Sequence, residues 1–170
     1  MRRPVLDEYR QAMEVRAALE GMAGRLAAAR LPPEVLKELA RLGKRLDANW
    51  PRPKAPDVDE LDARFHKILA QSSGNASLCR LLDNQHLIQT CFSLQGGINR
   101  SYQRVRSRGA AHSAIVEALR SRAGSAAERA IREHILGTSG NVLDQWNLQV
   151  QDGDGGEPDG RRGRDSASSS

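Results

Sequence analysis

The chain has 170 residues, of which 39% are hydrophobic and only 4% aromatic, and a formal net charge of +5. That length suits one domain of ordinary size, and the abundance of Ala, Leu, Arg and Glu without period-two runs of β-branched residues excludes a sheet-based fold. The positive charge is arginine spread over solvated helix faces; no basic run in the helical part is interleaved with aromatics, which argues against direct nucleic-acid binding there.

The first helix is expected from about Leu6 to Arg30, with Tyr9, Met13, Leu19, Met22 and Leu26 on its buried face. Pro32-Pro33 stops it, and Pro33 can open a second helix carrying Leu36, Leu39, Leu42 and Leu46 and ending near Ala48. Trp50 to Pro56 reads as a proline-rich loop. Asp57 is a candidate N-cap, with Glu60 at the capping-box position, for a third helix over Val58 to Gln71. Its inward residues are Val58, Leu61, Phe65, Ile68 and Leu69. Ser72 to Asn75 form a turn, and Asn75 caps a fourth helix that starts near Ala76, carries Leu78, Leu81 and Leu82, and bends or breaks at Gly96-Gly97. Further helical stretches follow from Ile98 to Arg106 and, after Gly109, from Ala111 to Arg122. Ser125 with Glu128 forms a second capping-box pattern before a last helix from about Ala126 past Leu136, with a break between Gly137 and Gly140 and an extension through Trp146. From Gln151 the composition turns to Gly, Asp, Arg and Ser, that of a disordered tail. The sum is an all-α, mostly antiparallel bundle of six to seven helices. No run approaches the roughly 18 apolar residues of a membrane span and no signal region follows Met1, so a soluble, cytoplasmic protein is expected, with Cys79 and Cys91 as reduced thiols.

Asp62 and His66 stand four apart on one helix, so their side chains share a face and can fill two positions around one metal ion. They flank the inward Leu61 and Phe65, which places them at the core boundary, where an unpaired carboxylate is costly and a cation would supply its partner. His112 opens an amphipathic helix and His134 lies between Ile131 and Ile135. Taken singly, each reads equally as a satisfied core histidine. Three inward histidines on three helices with an inward Asp suit zinc, nickel, manganese or iron, without a thiolate.

Four segments, in order, resemble the motifs of one family. Glu14-Val15-Arg16-Ala17-Ala18-Leu19-Glu20 is similar to its opening E-x-R-x-x-L-E. Asp62-Ala63-Arg64-Phe65-His66 with Ser72-Ser73-Gly74-Asn75 is similar to D-x-x-F-H … a-s-g-N. His112 to Leu119 is similar to H-x-x-I-x-x-A-L, and Ala127 to His134 to A-x-x-A-M-x-x-H. The family is the FadR-like ligand-binding (FCD) domain of GntR transcription regulators, and the resemblance spans about Leu6 to Leu143. It implies a divalent metal, zinc first and nickel, manganese or iron next, held by Asp62, His66, His112 and His134 beside a central cavity. It also implies a small carboxylate effector completing the metal's coordination, with Arg16 pairing the effector carboxylate; a plain ion pair between Arg16 and Glu20 is the alternative. His86 has no place in the pattern. A homodimer is expected from the same resemblance. Residues 1–148 are expected to form the domain and 149–170 a disordered tail. The winged helix-turn-helix that precedes this domain in the family is absent from the sequence, so DNA would be reached only through that missing part. Ala111 stands where the family often has Glu, and Ser121 to Ser125 replace an acidic turn, which predicts weaker outer support for the ligands.

Two other functions fit the same residues less well. An ion with open positions could activate water in a hydrolytic enzyme, but that needs a further carboxylate as general base, and Glu133 projects elsewhere on its helix. A metal-free helical interaction module would leave Asp62 and the three histidines replaceable.

Overall fold

The computed structural model describes residues 4–48, 58–95 and 111–153. Six helices make up these residues: α1 (Pro4–Arg30), α2 (Pro33–Ala48), α3 (Val58–Ser72), α4 (Ala76–Gln95), α5 (His112–Arg120) and α6 (Gly124–Gly153). No strand occurs among them, and the fold is an all-α bundle. The expected Trp50 to Pro56 loop, the Asp57 cap and the Ile98 to Arg106 helix lie outside the described residues, as does the side chain of His86.

Local chemistry sets several helix ends where the sequence places them. Pro33 is the first residue of α2, where its missing N–H costs nothing. Asn75 caps α4 by accepting the Leu78 N–H through Oδ1 at 3.1 Å. Gly74 turns the chain between α3 and α4 at φ +66°, a conformation that favours glycine. The Arg30 guanidinium donates to the Ser73 carbonyl at 3.0 Å, tying the end of α1 to that turn.

Three expectations are corrected. Ser125 is not a cap: α6 begins at Gly124, and the Ala127 N–H bonds the Ala123 carbonyl at 2.9 Å. The last helix is also unbroken through Gly137 to Gly140 and runs to Gly153, since neither glycine takes a positive φ there. On α1, Met22 is 44% exposed, and the face turned inward is built largely of small residues. Ala17, Ala23, Ala27 and Ala28 are buried there together with Gly21 and Gly24. A Cβ at Gly24 would stand 2.0 Å from Ile131 Cδ1, so α6 approaches α1 too closely for larger side chains. The core continues through Leu39, Leu42, Phe65, Leu69, Ile115 and Leu119, which join α2, α3 and α5 to this pair.

Gly24→Ala is expected to destabilise the domain by about 1–3 kcal/mol, since the fully buried Ile131 has little room to move. Ile131→Val deletes the clashing methyl and should recover most of that loss in the double variant. Urea unfolding of the two singles and the double measures both, and additive losses would contradict the close packing.

Candidate metal centre

α3, α5 and α6 each turn polar groups toward one point. Asp62 and His66 come from consecutive turns of α3, His112 is the first residue of α5, and His134 follows Ile131 on the inner side of α6. One ligand atom from each of the four residues lies within 4.8 Å of all the others. His66 and His134 are buried, Asp62 and His112 half-buried. The three imidazoles pack as rings, with centroids 4.3 Å apart for His112 and His134 and 5.4 Å for His66 and His134. Phe65 meets His66 and His112 edge-on, closing the apolar side. The sequence brings these four residues forward as candidates, and the fold assembles all four.

The orientation of two rings follows from their hydrogen bonds. His66 places Nε2 3.6 Å and His112 places Nε2 3.0 Å from the same oxygen, Asp62 Oδ1. Their Nδ1 atoms point outward onto other carboxylates. Glu20 of α1 meets His66 Nδ1 at 2.5 Å, and Asp47 of α2 meets His112 Nδ1 at 3.3 Å. With the Nδ1 proton donated outward, Nε2 is the atom turned to the centre, and a bound ion would take its lone pair in place of the proton.

Glu20 is buried, and its other oxygen accepts from Arg16 Nε at 2.6 Å. Arg16 is therefore engaged with Glu20, the ion-pair alternative to an effector contact. Burial works against the Glu20 charge, but Arg16 and His66 outweigh it and hold the carboxyl at about 2. Burial likewise opposes a charge on His66, yet Glu20 and Asp62 raise its pKa to about 9. Desolvation works against the Asp62 charge too, and the His66 and His112 imidazoles hold that carboxyl well below its usual range. Asp47 is held at about 2: against partial burial stand the His112 ring and the Ser113 N–H and hydroxyl.

The support expected to be weak at Ala111 comes from elsewhere. Ala111 makes no side-chain cap for α5. Asp47 supplies it across the helix interface, accepting the His112 N–H at 3.1 Å and the Ser113 N–H at 3.0 Å. Gly43, one turn earlier on α2, lets the helices meet: a Cβ there would lie 3.3 Å from His112 Cβ. The sequence marks Glu20 as a motif residue and a partner for Arg16, not as a partner for His66, and it does not mark Asp47 at all. Glu20 carries one usable signal, its place at the end of the opening motif, whereas no spacing connects Asp47 with His112.

The donor set fits a divalent ion. Three imidazoles, neutral once an ion displaces their protons, and one carboxylate, gathered within reach of one another and with two of the rings oriented from outside by further carboxylates, are what such an ion requires. An all-α bundle with three histidines and an aspartate converging between its helices is a helical domain with a candidate metal-binding cluster. The chain is a member of the FCD domain family, which it matches over residues 11–137. The solved structure of Streptococcus agalactiae GntR shares the fold with a TM-score of 0.58 at 24% identity, over 82% of this chain and 61% of that one. The chain thus spans less than two thirds of the length of that protein. No curated protein matches it in sequence.

Proposed function

We propose that this chain is the effector-sensing part of a GntR-family transcription regulator, and that it binds one divalent ion through Asp62, His66, His112 and His134. The observation that carries the reading is the convergence of those four ligand atoms within 4.8 Å. Membership of the FCD family and the shared fold with a protein named GntR support the regulatory role. Zinc is the first candidate, with nickel, manganese or iron open to the same ligands. When bound, the ion would offer an electrophilic position to an anionic oxygen, which suits a small carboxylate effector. The protein's own part is to gather and orient the ligands. Effector binding acts as a signal only if it favours one arrangement of the helices over another, a bias that would pass to DNA-binding modules beyond this domain, most simply in a homodimer. A regulatory rather than catalytic role is the reading that membership of the FCD family supports. No helix among the described residues is long and apolar enough to cross a membrane, in keeping with a cytoplasmic regulator.

Elemental analysis of protein purified without a histidine tag or chelator tests the reading. About one divalent ion per chain is expected, lost in His66→Ala and His112→Ala together with a lowered Tm. A metal-free wild type whose Tm does not respond to zinc, nickel or manganese would overturn it.

A further inference from the structure

Two of the three clustered histidines are held from behind by carboxylates on helices that contribute no ligand. On α1, the two oxygens of Glu20 are divided: one accepts from Arg16 at 2.6 Å and the other meets His66 Nδ1 at 2.5 Å. Held on both sides, the carboxylate has no freedom to turn away from the ring. On α2, Asp47 is the penultimate residue and makes three contacts with α5. Oδ1 meets His112 Nδ1 at 3.3 Å and accepts the His112 N–H at 3.1 Å, while Oδ2 accepts the Ser113 N–H at 3.0 Å. One side chain therefore sets both the ring angle of His112 and the start of the helix that carries it. The contact depends on the close approach of α2 to α5 at Gly43.

We infer that Glu20 and Asp47 are positioning residues that fix the Nδ1–H tautomers of His66 and His112 and so couple metal affinity to the docking of α1 and α2. The inference rests on the metal reading above. Physically, a ring whose Nδ1–H is tied to a carboxylate is a better and better-aimed Nε2 donor than one free to rotate. It follows that the centre senses all five helices around it: α3, α5 and α6 through ligands, α1 and α2 through these carboxylates. A displacement of α2 that breaks the Asp47 contacts would loosen the ion, and loss of the ion would in turn loosen the α2–α5 contact, since coupling is reciprocal.

The test compares the full chain with Asp47→Ala, Asp47→Asn, Glu20→Gln and, as a control, Leu119→Ala. Leu119 is buried on α5, seven residues beyond His112, so its truncation disturbs α5 packing without removing either carboxylate contact. Zinc affinity is measured by competition with a chromophoric chelator near neutral pH, and the histidine rings are followed by long-range proton–nitrogen NMR. Asp47→Ala is expected to weaken zinc binding by about 10- to 100-fold. Asp47→Asn, which keeps one acceptor oxygen, should lose less, and Glu20→Gln should shift in the same direction. The His112 Nδ1–H signal should disappear in Asp47→Ala. Leu119→Ala should lower Tm and leave zinc affinity unchanged.

The inference is overturned if Asp47→Ala and Glu20→Gln bind zinc as tightly as the wild type. It is also overturned if Leu119→Ala weakens zinc as much as Asp47→Ala, which would make the effect one of stability alone. A wild type that takes no zinc defeats the proposed function and the coupling with it. The ring spectra of the metal-free protein then decide the orienting role separately: an Nδ1–H signal of His112 lost in Asp47→Ala supports it, and one absent from the wild type sinks it.

Discussion

Glu20→Ala should destabilise the metal-free domain by about 3–5 kcal/mol, among the largest effects of any single substitution in the chain. The reason lies in what remains after the carboxylate is removed. The Arg16 side chain is 14% exposed and that of His66 7%, and both carry their positive charge against Glu20. Truncating the shared partner leaves two poorly solvated cationic groups close together, with Asp62 as the carboxylate they then share. His66 can respond by giving up its proton; the Arg16 guanidinium cannot. Removing both ends of the ion pair is a different matter, because apolar residues of similar volume often replace a buried pair at little cost. Arg16→Met with Glu20→Leu should therefore recover a large part of the loss. Urea unfolding followed by circular dichroism, with a chelator present, measures each variant. A Glu20→Ala loss below about 1 kcal/mol would mean that Arg16 and His66 find water in solution, contrary to the buried arrangement.

The second large effect is on pH. In the metal-free domain, the Glu20 carboxyl is lowered from 4.5 to about 2, so its stabilisation is present above 4.5 and lost as pH falls through about 2. The His66 imidazole is raised from 6.5 to about 9, so its stabilisation is present below 6.5 and lost as pH rises through about 9. These two groups together favour the metal-free fold most between 4.5 and 6.5. Metal binding has the opposite slope, because the ion must displace a proton from His66 Nε2. Affinity for nickel should rise about tenfold per pH unit between roughly pH 6 and 8, and more steeply if the His112 proton, also held above its ordinary pKa, leaves too. Asp62 adds nothing to the slope, since it is already ionised throughout this range. Chelator competition at several pH values, corrected for the chelator's own protonation, reads the slope directly. A flat profile would show that His66 is neutral before the ion arrives.

The parts of this protein that the sequence determines are those set by neighbours along the chain. Pro33 opens α2 because its ring blocks continuation of the preceding helix and suits a first turn. Asn75 caps α4 because its side chain reaches an N–H three residues on. Asp62 and His66 share a face because they are four apart on one helix, and the motifs around His112 and His134 mark the remaining candidates. Hydrophobic spacing also places Leu39, Leu42, Phe65 and Leu69 in the core, where they are found.

What the tertiary structure alone decided depends on distances across the chain. Periodicity puts Met22 on the buried face of α1, but it does not register that α6 lies close enough to demand Gly24 and alanines instead. A serine followed by glutamate suggests a cap at Ser125, yet the helix begins one residue earlier. Glu20 lies 46 residues from His66 and Asp47 65 residues from His112, and no local pattern records either pairing. Such contacts arise only when helices from different parts of the chain dock, because a carboxylate's partner is whichever proton donor packing brings within about 3 Å of it.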